Sequence, residues 1–232
     1  MMKIVMFCGG SAVGKTAVLK ALIPQFLDKN FLPCACKLDC IQSSDEETYK
    51  EMGIPCVTGL SGDVCPDHFL VSNLPELWSW AESMNRSPLF IETAGLCHRC
   101  SPATQKIISI CVVDSTASCR NPEQLGPMLT QADAVVLTKI DMVSQAEREI
   151  ISYYIAKTNP TAIIFPVDGL AGYGAEPLGT WIMNQPDIET YEEDQLRHCM
   201  PSAVCSYCIG ECRVGSSYQQ GVVGKIDFEE VG

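Results

Sequence analysis

The chain has 232 residues, of which 47% are hydrophobic and 19% charged, a balance that allows an ordered core and excludes wholesale disorder. Sixteen basic against 28 acidic residues give a formal charge of −12, which argues against a nucleic-acid backbone or an anionic membrane as the main partner. No apolar run approaches the roughly 20 residues that cross a bilayer, and Gly9-Gly10 interrupt the opening apolar stretch too early for an export signal. The expected compartment is the cytoplasm. There, 14 cysteines read as metal ligands, redox groups or small buried side chains rather than as a disulfide framework.

In chain order, the patterning predicts a strand over Lys3–Phe7, a helix over Lys15–Leu27, a strand over Phe31–Leu38 and helices over Asp45–Met52 and Leu74–Met84. Strands over Leu89–Glu92 and Lys106–Asp114 follow, then a helix over Glu123–Gln131 and a strand over Ala134–Thr138. A helix over Ser144–Thr158, a strand over Ala162–Val167 and a helix over Leu178–Asn184 complete the series. Strands apolar on both faces and separated by helices indicate an α/β fold with a mostly parallel sheet covered on both sides. The composition changes near Pro186. Residues 187–232 hold nine acidic and three basic residues together with Cys199, Cys205, Cys208 and Cys212. The expected organisation is therefore a main domain over 1–185 and a cysteine-rich acidic segment over 186–232, ordered by a metal or by the main domain.

Gly9-Gly10-Ser11-Ala12-Val13-Gly14-Lys15-Thr16 fits the pattern G-x-x-x-x-G-K-[ST] between a predicted strand and a predicted helix. The glycines let backbone N–H groups converge on phosphate oxygens at a helix N-terminus. Lys15 adds a cation for the β- and γ-phosphates, and the Thr16 hydroxyl can ligate Mg²⁺. The expected architecture is thus the three-layer P-loop NTPase fold. Thr138-Lys139-Ile140-Asp141 closes a later strand where GTPases carry Asn-Lys-x-Asp. The Asp141 carboxylate can accept from the ring and exocyclic N–H groups of guanine, which adenine lacks, while the Lys139 stem covers the base. GTP is favoured and ATP stays open, because Thr138 replaces the usual asparagine.

The spacing of these motifs resembles the CobW/HypB/UreG group of P-loop GTPases, which serve metal-centre assembly, over roughly residues 1–185. Ile91-Glu92-Thr93-Ala94-Gly95-Leu96 is similar to the group's Glu-x-x-Gly segment. The resemblance implies that Glu92 lies near Mg²⁺ or the attacking water, that the Gly95 N–H senses the γ-phosphate, and that Asp39 is a switch aspartate near Mg²⁺. The segment after Pro186 does not match the small β-domain of CobW proper.

Cys65-Pro66-Asp67-His68 resembles the Cys-Pro-His and Cys-His of nickel GTPases, with an aspartate inserted before the histidine. Thiolate and imidazole suit Ni²⁺, Zn²⁺ or Co²⁺. Two ligands per chain imply a homodimer to complete four. Cys97-His98-Arg99-Cys100 follows Gly95-Leu96 and is a metal clip or a redox pair. Cys34 and Cys36 read as buried filler, and Cys8, Cys56, Cys111 and Cys119 as incidental. Cys199, Cys205, Cys208 and Cys212 suit Zn²⁺ or a [4Fe–4S] cluster equally.

The leading expectation is a GTP-hydrolysing metallochaperone that delivers a transition metal, nickel first, to a client metalloenzyme or its maturation factors, and that is slow without them. The alternatives are an iron–sulfur ATPase or GTPase that reductively activates a cobalamin or metal enzyme, and a zinc-stabilised regulatory module.

Overall fold

The strand β1 (Ile4–Cys8) is apolar at all five positions and buried at all five, so it must be covered on both sides. In the computed structural model it is the central strand of a sheet. The structure describes the chain except residues 42–44, 96–97, 192, 200–209, 220–223 and 229–232. The other strands of the sheet are β2 (Cys34–Asp39), β3 (Cys56–Leu60), β4 (Leu89–Glu92), β5 (Ile108–Asp114), β6 (Ala134–Thr138) and β7 (Ile163–Pro166). All seven run parallel in the order β3-β2-β4-β1-β5-β6-β7. In such a sheet ligands bind beyond the carboxyl ends of the strands, where β1 leads into the glycine-rich loop and β4 into Thr93–Gly95.

The helices are α1 (Lys15–Asp28), α2 (Asp45–Glu51), α3 (Pro66–Ser83), α4 (Pro127–Thr130), α5 (Gln145–Thr158) and α6 (Ala175–Met183). Side chains alternate along each strand, and this divides the core in two. Val5, Phe7, Phe90, Ile110 and Val136 pack with α1, α6 and Tyr49 of α2. Met6, Cys8, Cys36, Ile91, Cys111 and Val113 pack with α3, α4 and α5. The result is the three-layer α/β architecture expected from the sequence. No helix among the described residues is long and apolar enough to cross a membrane.

Several boundaries differ from the sequence reading, each for a local reason. β3 was not anticipated because Gly59 breaks its β pattern, yet packing demands that glycine: a Cβ there would stand 2.7 Å from Leu38 Cδ2 and 2.9 Å from Phe69 Cε1. α3 starts at Pro66 rather than Leu74, with proline in the first helical turn where its missing N–H costs nothing. Asp67, His68, Ser72 and Asn73 mask the apolar stripe of its first half, although all four are buried. The stretch predicted as one helix over 123–131 is a 3₁₀ turn at Asn121–Gln124 and the short α4, divided at Gly126, whose φ is +52°. The strand predicted from Phe31 begins at Cys34, after Pro33, which cannot donate to a ladder. Ser144 is the N-cap of α5, in a capping box with Glu147.

The C-terminal segment contributes a two-stranded antiparallel ladder, β8 (Asp194–Gln195) with β9 (Arg213–Val214), and leans on the main sheet's α3 side. Leu196 bridges Thr104. The Arg197 guanidinium grips Asp133 through two bonds of 2.8 and 2.9 Å and also donates to the carbonyls of Thr104, Ile107 and Gln131. Farther on, fully buried Asn73 accepts from Ile226 N–H at 2.9 Å and donates to the Gly224 carbonyl at 3.2 Å. Replacing Arg197 by alanine takes this donor from the three carbonyls, while partly exposed Asp133 keeps the Ser109 N–H, at a cost of about 1–3 kcal/mol. Urea unfolding should show that loss, and limited proteolysis should cleave after residue 186 sooner than in the parent chain.

Candidate nucleotide and metal site

The phosphate loop joins β1 to α1. Lys15, 5% exposed, donates from Nζ to the Gly9 carbonyl at 3.1 Å and the Gly10 carbonyl at 2.7 Å. Burial pushes its pKa down, with the nearby Glu92 carboxylate opposing. Thr16 Oγ1 donates to Glu92 Oε1 at 2.8 Å. That oxygen also accepts from Lys37 Nζ at 2.6 Å, and Glu92 Oε2 accepts from the Tyr49 hydroxyl at 2.6 Å. Glu92, 2% exposed, is thereby compensated by a buried cation and two hydroxyls, as a buried carboxylate requires. Gly95 has φ +76°, and a Cβ on it would lie 2.0 Å from the Gly9 carbonyl oxygen. At Gly95 the chain after β4 thus comes close to the phosphate loop, backbone to backbone. Asp39, at the end of β2, accepts from the Cys40 N–H at 2.8 Å.

The base side is built by β6 and its following turn. The Thr138 hydroxyl donates to the Val13 carbonyl at 2.6 Å, so it ties the strand end to the phosphate loop although threonine stands where asparagine is usual. Lys139 sits in the left-handed region at φ +53°, an uncommon backbone for a non-glycine residue. Its Nζ donates to Asp114 Oδ2 at 2.5 Å and to the Ala12 carbonyl at 3.2 Å. A cavity of about 190 Å³ is lined by Gly14, Thr138, Lys139, Asp141 and Asp168 among others. Asp141 presents a carboxylate to a space walled by the lysine stem, an arrangement able to read the N–H edge of guanine.

On the α3 side, one ligand atom each from Cys65, His68 and Cys100 lies within 4.8 Å of the others. Ligands around one tetrahedral ion at 2.0–2.3 Å stand about 3.3–3.8 Å apart, so a small contraction would seat an ion between them. Cys65 precedes α3, His68 lies in its first turn, and Cys100 comes from the chain after Gly95. Cys100 Sγ is 3.2 Å from Asp67 Oδ2, and its single proton can go to that carboxylate or to Cys65. Its hydrogen bond brings the Cys65 thiol down to about 5. Burial, with Cys65 beside it, raises Asp67 to about 7. Burial also lowers His68, keeping its imidazole neutral and able to ligate. The donor set of thiolates and neutral imidazole fits a soft or borderline divalent ion.

The family description "CobW/HypB/UreG, nucleotide-binding domain" matches residues 3–166. The chain belongs to the CobW/HypB/UreG family. It is 42% identical over 226 residues to an uncharacterized protein of Methanocaldococcus jannaschii, covering 97% of each chain. It is 28% identical over 191 residues to the urease accessory protein UreG 2 of Streptomyces griseus, covering 75% of this chain and 84% of that one. Among solved structures, HypB from Helicobacter pylori in complex with nickel aligns with a TM-score of 0.65 at 19% identity, over 78% of this chain and 86% of that one. HypB from Archaeoglobus fulgidus gives a TM-score of 0.64 at 19% identity, over 78% and 89%. At those identities the likeness is one of fold.

In this CobW/HypB/UreG chain the structure brings Lys15, Thr16, Glu92 and Gly95 together, and separately Cys65, His68 and Cys100. One protomer therefore offers three ligands rather than the two counted from the sequence. Cys97, Cys205 and Cys208 lie outside the described residues. Lys37, Tyr49, Asp114 and Asp67 escaped the sequence reading. Lys37 had a signal, since a lysine inside a strand buried on both faces needs an anionic partner. Tyr49 had none. The depressed Cys65 value gives a pH test on metal-free protein under reductant. Iodoacetamide labelling of Cys65, followed by peptide mass spectrometry, should hold its rate above about pH 6 and fall as the pH drops through about 5. In Cys100→Ala the inflection should move up toward the ordinary thiol range.

Proposed function

We propose that this chain is a GTP-hydrolysing metal carrier that takes a transition ion, nickel first, into the pocket of Cys65, His68 and Cys100 and yields it to a client metalloenzyme. The observation that carries the reading is the junction at Gly95. The same short stretch that abuts the phosphate loop at Gly9 continues into Cys100, which stands beside Cys65 and His68. The nickel complex of the Helicobacter pylori HypB and the urease accessory role in the name of the Streptomyces griseus relative support a nickel cargo.

The phosphate-loop N–H groups and Lys15 would hold the β- and γ-phosphates, with Lys15 exchanging its Gly9 and Gly10 partners for phosphate oxygens. Thr16, Asp39 and Glu92 supply hard oxygen donors of the kind Mg²⁺ takes, and Mg²⁺ when bound would neutralise phosphate charge. Thr16 would turn its hydroxyl from Glu92 to the ion, while Glu92 keeps Lys37 and Tyr49. Gly95 N–H would meet the γ-phosphate, and its loss on hydrolysis would release the segment that bears Cys100. With one thiolate withdrawn, the protomer would keep two of its three ligands and weaken its hold on the ion. Turnover would be slow in the isolated chain, because no arginine lies among the phosphate-site contacts of the described residues. A second protomer would bring the fourth ligand.

Guanine selection has its own test. In Asp141→Asn, an amide that can donate replaces a carboxylate that only accepts, so GDP affinity should fall at least about tenfold while xanthosine diphosphate gains. Unchanged GDP binding would remove Asp141 from the base site. For the carrier reading, nickel titrations with Mg²⁺ and a non-hydrolysable GTP analogue, then with Mg²⁺–GDP, should give affinities differing by about 5- to 100-fold, and nickel should tighten the favoured nucleotide by the same factor. Equal affinities in both states would end the carrier reading.

A further inference from the structure

Two of the three groups that hold Glu92 lie outside the phosphate-loop pattern. Lys37 and Tyr49 both belong to one unit, β2 with the helix α2 that follows it, and the same unit carries Asp39. Lys37 Nζ shares Glu92 Oε1 with the Thr16 hydroxyl, at 2.6 and 2.8 Å, whereas the Tyr49 hydroxyl donates to Oε2 at 2.6 Å. Each carboxylate oxygen therefore has a donor from the β2–α2 unit. Only the third donor, Thr16, comes from the phosphate loop. Tyr49 is fully buried and Lys37 nearly so, and a glutamate gripped at both oxygens keeps one rotamer. Burial is the main cause of the lowered Lys15 pKa, and Lys37 adds to it, so the Lys37 charge is felt at the phosphate site.

We propose that Lys37 and Tyr49 are positioning residues for GTP hydrolysis, holding Glu92 so that its Oε1 accepts from the attacking water once the Thr16 hydroxyl has turned away. The inference rests on the GTPase reading above and assigns it two residues that no motif marks. A carboxylate oxygen accepts in two directions. In the structure Oε1 spends one on Lys37 and one on Thr16. When the Thr16 hydroxyl leaves, the second direction opens beside the phosphate loop, and Lys37 and Tyr49 keep the oxygen where it was.

In the hydrolysis the water oxygen bonds to the γ-phosphorus as the bond to the β–γ bridging oxygen breaks. That electron pair leaves with GDP, and the water proton passes to a phosphate oxygen. Glu92 orients the water and ends as it began. Lys37 and Tyr49 touch neither water nor phosphate and act through Glu92 alone. Their effect belongs to the rate of the bound complex, since a misplacement of about 1 Å can cost on the order of 100-fold. A merely structural role would lower stability and leave the turnover of folded chain unchanged.

The test compares the full chain with Tyr49→Phe, which removes one oxygen and keeps the ring in the core, and with Lys37→Met. Hydrolysis of GTP is followed with Mg²⁺ present, per nucleotide-binding site counted by GDP titration. In Tyr49→Phe, kcat should fall about 10- to 100-fold, while the affinities for GDP and a non-hydrolysable GTP analogue stay within about twofold. Lys37→Met should lose at least as much. Should it fail to fold, Tyr49→Phe decides. A second readout needs no turnover: the Tyr49 hydroxyl proton, assigned in NMR spectra by its loss in Tyr49→Phe, should be present in the nucleotide-free chain and in the analogue complex. Its absence from either state overturns the proposal, as does a loss of affinity that accounts for the whole loss of rate. A parent that binds GTP without hydrolysing it overturns the GTPase reading and this inference together. A hydrolysing parent whose kcat Tyr49→Phe matches overturns this inference alone.

Discussion

A carboxylate taken out of water inside a parallel sheet is stable only if donors meet it there. Glu92 is in that position, and the three groups that meet it come from three elements: Thr16 from α1, Lys37 from β2 and Tyr49 from α2. The phosphate loop's hydroxyl, the neighbouring strand and the helix that crosses from β2 to β3 are therefore all referenced to one side chain at the end of β4. If the carboxylate were removed, buried Lys37 would lose its 2.6 Å ion pair with it. If Lys37 were removed, a buried anion would stand in the same difficulty. Neither can change alone without disturbing the edge of the sheet on which the phosphate loop rests.

Three residues after Glu92 the chain comes into backbone contact with the loop at Gly95, and five residues later it delivers Cys100 to the α3 side. The fold thus sets its two chemistries on one segment that leaves one strand. Hard oxygen donors lie on the side of α1, and sulfur with imidazole lies at the start of α3. By their chemistry the first set suits a hard ion and the second a soft or borderline one. The C-terminal ladder adds a third constraint, since it pairs with the same segment just beyond Cys100. Any coupling between the sites then needs two discrete arrangements of this one stretch, and does not require a wire through the core.

Much of this was legible before any coordinates. The phosphate loop, α1, β4, β6 and α5 announce themselves through local rules: a glycine pattern between a strand and a helix, short apolar runs, and a serine with glutamate three residues on. What stayed hidden depends on long-range partners. Asp67, His68, Ser72 and Asn73 look like the polar face of nothing in particular until α3 is laid against the sheet and the tail is laid against α3. Asn73, for example, is buried because Gly224 and Ile226 satisfy it from across the chain. Gly59 reads as a strand breaker until Leu38 and Phe69 are seen to need its space. Cys65 and His68 could be paired from spacing and Cys97 or Cys100 offered as a further ligand, but the fold is what selects Cys100 and places it beside them within one protomer.

The chemistry of the core divides the sulfur of this chain into two populations. Cys34 and Cys36 are fully buried on the α3 face of β2, where desolvation pushes both thiols far up. Cys111, hydrogen-bonded to Cys8 on the adjoining strand, is raised as well. A thiol that holds its proton is a poor ligand and a poor nucleophile. On the carrier reading proposed above, the interior would not compete for a soft cargo, because the dry face of the sheet keeps that sulfur inert while the thiol at the head of α3 is brought down to about 5. The dielectric of the core would thus confine that cargo to the rim.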